Sequence, residues 1–220
     1  MKQKSPRISV NKLAEYMIAS PLRRKQIVKD AKYPQKYIET LYSEARSGIK
    51  NYIINNYDET ILLDLIDYLK SKPCDNDHQA TDIKNSISSL RHILSTDLPD
   101  LSNCTISEFD GENTMINIEG LNISIYPDLI IKNNINGKIG GIKIHFPKSH
   151  ELGEGLVYVS TLIKNFFINK GHDNREIDEK LCITIDVFRM KYAIAPHAYI
   201  RLMQRLKVSC QEIVLWWNSI

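Results

Sequence analysis

Residues 121–146 read LNISIYPDLIIKNNINGKIGGIKIHF, and this stretch decides the fold class. Apolar residues with high strand propensity alternate with polar ones from Leu121 onward, and Asn136-Gly137 is a two-residue turn that reverses a strand tightly. The pattern predicts one strand over 121–131 and a returning strand over 138–146. Just upstream, 114–119 alternates in the same way and turns at Gly120, so three consecutive strands sharing one sheet are expected. Downstream, 147–155 reads as a loop, 156–168 as an amphipathic helix stopped by Gly171, and 181–188 as a nearly continuous apolar run suited to an interior strand. Pro196 then opens a helix carrying Ile200, Met203, Leu206, Ile213 and Trp217.

Toward the N-terminus the period changes from two to about 3.6. Ser9 or Asn11 caps a short helix through Ala19, and Ser20-Pro21 restarts the chain as a basic helix to Lys29. A third helix is expected after Pro34, with Tyr37, Ile38, Leu41, Tyr42, Ala45, Ile49, Tyr52 and Ile53 on one face. Asp58 opens a fourth, which Pro73 closes, and a fifth runs from Asp77 to Leu94. The chain is therefore read as α/β in the α+β sense: a helical region over 1–97, then α-βββ-α-β-α over 98–220.

Composition bounds the function. At 220 residues, 43% hydrophobic and 25% charged, the chain has the makings of a packed core. No apolar run reaches bilayer length and the start MKQKSPRISV has no secretory apolar region, so a cytoplasmic protein without a membrane partner is expected. Cys74, Cys104, Cys182 and Cys210 lack zinc-ligand spacing and read as buried free thiols. The net charge of +3 is unevenly spread. Residues 1–36 carry ten basic side chains against Glu15 and Asp30, a net +8 that leaves −5 on the remainder. Within that segment Arg23, Arg24, Lys25, Lys29 and Lys32 are the candidate contacts to a nucleic acid, DNA ahead of RNA.

Asp128 follows Tyr126-Pro127 on the second expected strand, and Gly140-Gly141-Ile142-Lys143 lies on the third. A single tight turn between the strands brings Asp128 and Lys143 side by side. A carboxylate beside a lysine is a pairing able to hold a divalent ion and an attacking water. The element order and this pair resemble the PD-(D/E)xK nuclease superfamily, in which a Pro-Asp strand is followed by an acid-x-Lys strand and then a helix. The resemblance spans roughly residues 101–195. It implies a restriction-endonuclease-like core, Mg2+ or Mn2+ on Asp128, and phosphodiester hydrolysis assisted by Lys143. Gly141 stands where the family places its second acid. Glu44, from the preceding helix, Glu119, beside the hairpin turn, and Asp186 are the substitutes. Two readings stay open: a metal-dependent nuclease, and a non-cleaving nuclease-fold module that binds DNA or a partner within a prokaryotic defence or mobile-element assembly.

Two further features compete for attention. His197, Arg201 and Arg205 recur every four residues and would form one stripe of the last helix, similar to the helix of some small toxin-type ribonucleases. The apolar C-terminal stretch with Trp216 and Trp217 either closes the core or meets a protein partner.

Overall fold

The computed structural model describes residues 5–34, 41–146 and 152–220. The chain begins with β1 (Arg7–Ser9), α1 (Val10–Ile18), α2 (Pro21–Lys32), α3 (Ser43–Ile54), α4 (Glu59–Ser71) and α5 (Asp77–Leu94). It continues with β2 (Cys104–Glu108), β3 (Met115–Ile118), β4 (Leu121–Ser124), β5 (Leu129–Asn133) and β6 (Ile139–His145). Last come α6 (Leu156–Asn169), β7 (Ile177–Asp186), β8 (Lys191–Ile194) and α7 (Tyr199–Ser219). The architecture is mixed α/β, as expected. Among the described residues no helix is long and apolar enough to cross a membrane.

Local chemistry sets most helix starts. The Ser9 hydroxyl accepts from the Lys12 amide, Asp58 from Thr60 and Asn76 from Gln79, each satisfying an amide that the first turn leaves free. Pro21 occupies the first turn of α2, although the Ser20 side chain makes no capping bond. The third helix departs from expectation. Tyr42 has φ of 63°, outside helical geometry, so α3 begins at Ser43; of the other residues assigned before it, Leu41 is non-helical, while Tyr37 and Ile38 lie outside the described residues.

The strands do not form the single three-stranded meander that the alternation predicts. β4 ends at Ser124, and the residues to Asp128 leave one sheet and enter another. β3 and β4 form a hairpin that β1 extends in parallel, giving a three-stranded sheet in the order β1-β4-β3. β5 belongs instead to a five-stranded sheet ordered β2-β5-β6-β7-β8, in which β6 and β7 are parallel and every other neighbouring pair is antiparallel. The split has a packing cause. Leu121, Ile123 and Ile125 are buried in a core shared with α1, α2, α6 and α7, whereas Leu129 and Ile131 are buried in a second core against α3, α4 and α5. One continuous strand cannot serve both cores, and Pro127, which has no N–H to give a ladder, lies at the crossing.

The five-stranded sheet is thus covered on both faces. Ile142, Ile144, Ile183 and Ile185 point to the second core; Gly141 and Cys182, one register step away, meet α6. Helix α6 carries the chain from β6 back to β7 as a parallel connection requires, and it is apolar nearly all round because the five-stranded sheet, α1 and α7 all pack against it. All four cysteines are free, with Cys182 and Cys210 buried; Cys74, against expectation, is exposed on the loop after α4, and Cys104 is half-buried.

Gly140 explains how β6 and β7 approach each other. A Cβ placed there would come within 2.4 Å of the Leu181 side chain and of its carbonyl oxygen. Backbone cannot yield as a side-chain tip does, so Gly140→Ala is expected to lower the stability by about 3 kcal/mol. Urea denaturation monitored by circular dichroism measures it, and a loss below about 1 kcal/mol would show that the contact relaxes freely.

Candidate functional site

Asp128 lies immediately before β5, with its amide donating to Ile142 O on β6, and its side chain is 5% exposed. Its carboxylate is held on both oxygens. Oδ1 accepts from Arg46 Nη1 at 2.8 Å; Oδ2 accepts from Lys143 Nζ at 3.0 Å and from the Ile144 amide at 2.8 Å. The two cations are themselves anchored, since Arg46 also donates to Ile144 O at 2.9 Å and Lys143 to Tyr126 O at 2.8 Å. The guanidinium of Arg46 stacks over Phe146 at 4.7 Å. Burial pulls the Lys143 ammonium below its ordinary value, Asp128 pushes it back up, and Arg46 adds to the lowering.

The sequence reading paired Asp128 with Lys143, and the structure brings them together. It does not bring Glu44 or Glu119 to them. Glu44 is on α3 but two residues from Arg46, a rotation of about 200° around the helix, and its carboxylate is bound by Lys72 at 2.9 and 3.0 Å. Arg46 borders the apolar stripe of α3 that packs on the sheet, so α3 sends a cation rather than an acid to Asp128. Glu119 sits at the β3–β4 turn in the other sheet and accepts from Gln211 on α7. Asp186, fully buried at the end of β7, is opposite His145 in the ladder and accepts the Arg189 amide at 3.2 Å, with the Arg189 guanidinium at 3.8 Å.

These residues do not fit Mg2+ or Mn2+. Such an ion needs free carboxylate oxygens, and both oxygens of Asp128 are already engaged by two cations and an amide. Position 141 is also crowded for a side chain, because a Cβ there would lie 3.1 Å from Leu129 O and 3.3 Å from the Phe167 ring. Among the described residues no group of three His, Cys, Asp or Glu side chains is arranged to hold a metal ion.

Three residues that the sequence reading passed over complete the cluster: Arg46, His145 and Arg189. Arg46 had one legible signal, its place at the margin of the apolar stripe of α3. His145 lies two residues beyond Lys143 on the same face of β6; its Nε2 is buried without a hydrogen-bond partner among the described residues. Burial pushes His145 down from 6.5 to about 4, and the charges of Lys143, Arg46, Lys12 and Arg189 push in the same direction. The imidazole is therefore neutral at physiological pH.

The basic helix is partly consumed inside the molecule. Arg23 pairs with Glu15 of α1 at 2.6 Å, and Arg24 donates to Tyr16 O and Met17 O and faces Glu212 of α7 at 3.7 Å. Lys32 donates to Trp217 O at 2.6 Å. Lys25 and Lys29 remain on the exposed side, Lys25 lying 5.5 Å from the Trp216 ring centre. The stripe expected of the last helix is not present as such: α7 starts at Tyr199, so His197 precedes it and its Nδ1 is 2.7 Å from Glu179 Oε2. Arg205 lies over Tyr158, and Arg201 is exposed. Trp217 is buried in the core, whereas Trp216 is half-buried at the end of α7.

The sequence matches no protein-family model and no curated protein.

Two outcomes follow from this geometry. Removing the anion in Asp128→Ala leaves two cations at a largely dry position, so a loss of about 3 kcal/mol is expected in urea denaturation; Asp128→Asn should lose somewhat less. Because His145 titrates at 6.5 unfolded and near 4 folded, its neutral burial contributes fully above pH 6.5 and is lost as the pH falls toward 4. Across that window the loss is about 3 kcal/mol at 1.36 kcal/mol per pKa unit. His145→Gln should flatten this part of the stability profile, and an unchanged profile would remove His145 as its cause.

Proposed function

We propose that this chain is a nucleic-acid-binding protein on a PD-(D/E)xK-like core that does not cleave its ligand. What supports the nuclease-like core is the order of its elements. Three antiparallel strands, β2, β5 and β6, lead through a crossing helix into β7, parallel to β6, and Asp128, just before the second of them, meets Lys143 on the third. The β3–β4 hairpin is then an insertion between the first and second strands of that core.

The observation that carries the non-cleaving reading is the state of Asp128. In a metal-dependent nuclease the carboxylate at this position must offer its oxygens to an ion. Here the preceding helix supplies Arg46, which takes one oxygen, while Lys143 and a backbone amide take the other. The cations do electrostatically what a bound metal would do, neutralising the buried carboxylate, but they supply no activated water. The nucleic-acid reading is supported by Lys25 and Lys29, which α2 leaves facing outward after Arg23, Arg24 and Lys32 are engaged internally.

The test is incubation of the purified protein with labelled single- and double-stranded DNA and RNA in Mg2+ and in Mn2+. Binding without cleavage is expected in either ion. The affinity should fall with salt, at a slope of roughly −0.7 to −0.9 per phosphate contact. Metal-dependent cleavage that Asp128→Asn abolishes would overturn the non-cleaving reading, and absence of binding to all four ligands at low salt would overturn the nucleic-acid reading.

A further inference from the structure

Two features that are far apart in sequence, the basic helix α2 and the tryptophan-bearing end of α7, form the walls of one groove of about 500 Å³. Along α2 the residues Leu22, Lys25 and Lys29 follow each other at three- and four-residue steps, so they share one face, and Tyr33, just past the end of the helix, continues the same wall. Trp216 and Ile220 close the other side. Leu22 is 84% exposed and Tyr33 59%, values unusual for large apolar and aromatic side chains beside a half-buried tryptophan. No Asp or Glu side chain lines the groove, and Lys32, one turn away, already satisfies the Trp217 carbonyl at the end of α7. Lys25 and Lys29 have no carboxylate partner among the described residues, so their charge is directed at whatever enters.

We propose that this groove takes one unpaired nucleotide of a single strand, its base against Trp216 and Tyr33 and its phosphates against Lys25 and Lys29. The inference rests on the nucleic-acid reading above and specifies its ligand. Aromatic faces flanked by lysines at backbone spacing are what single strands recognise, because every base has a π-face and every nucleotide a phosphate. The groove has the volume of a small-ligand pocket, whereas the bases of a duplex are stacked out of reach and offer it only phosphates. The chemistry of the walls thus selects an unpaired base over a paired one.

The experiment is a titration of tryptophan fluorescence with a thymidine oligonucleotide, with a mixed-sequence duplex of the same length, and with polyglutamate, at low salt. The single strand is expected to quench Trp216 and to bind at least about tenfold more tightly than the duplex. Trp216→Ala and the double variant Lys25→Glu/Lys29→Glu should each weaken single-strand binding by about tenfold or more, and Trp216→Phe should retain most of it. Circular dichroism melting of each variant separates a lost contact from a lost fold, and the charge variant, wholly at exposed positions, keeps the test valid if Trp216→Ala unfolds. If both strands bind alike without quenching, the groove is not the site and the general nucleic-acid reading survives. If neither binds, both fail together. Quenching by polyglutamate that displaces the single strand would assign the groove to an acidic peptide and overturn the inference.

Discussion

The carboxylate of Asp128, buried and held on both oxygens, is the constraint to which the rest of this structure is adjusted. Its partners come from the helical layer through Arg46 and from the centre of the sheet through Lys143 and the Ile144 amide. A buried charge without partners costs several kcal/mol, so α3, β5 and β6 hold their relative positions or leave that charge unpaired. The same arrangement determines what the position can do. Here the carboxylate neutralises an arginine and a lysine, and the phase of α3, which aims Arg46 inward and Glu44 toward Lys72, is what gives it those partners.

Around that point the chain builds two cores on the two faces of one sheet. The change of face happens within a few residues, from Ile125 in one core to Leu129 in the other, with Tyr126, Pro127 and Asp128 between. The polar cluster sits at this crossing because strand pairing lapses there, leaving backbone groups for side chains to satisfy: the Tyr126 carbonyl takes the Lys143 ammonium and the Ile144 amide takes Asp128. His145 and Asp186 extend the cluster along the ends of the two parallel strands, where burial first, and neighbouring cations with it, keep the imidazole neutral.

Helices were largely legible because capping and apolar period act within a few residues. Asp58 and Pro21 mark starts that tertiary packing has no reason to override, and the fifth helix runs from Asp77 to Leu94 as its pattern requires. Strands were less legible. β1 and β8 are three and four residues long, and β2 alternates too weakly to register; each is a strand because a neighbour offers an edge, which local sequence does not encode. The third helix was started too early because Tyr42 is apolar and in phase, yet it is needed outside the helix, stacked on Phe146 at 5.1 Å.

For the candidate site the division is equally physical. The sequence by itself determined that Asp128 and Lys143 would be neighbours, since a short turn between two strands admits few registers, and that no acid stands at Gly141. It also marked α2 as basic and the end of α7 as apolar. Only the tertiary structure decided that Arg46, 82 residues before Asp128, would occupy its free oxygen, that Phe167 would fill the space beside Gly141, and that α2 and α7 would meet in one groove. Partners so distant are selected by how layers pack and how helices are phased against the sheet. Those are properties of the whole chain, which no local pattern of residues contains.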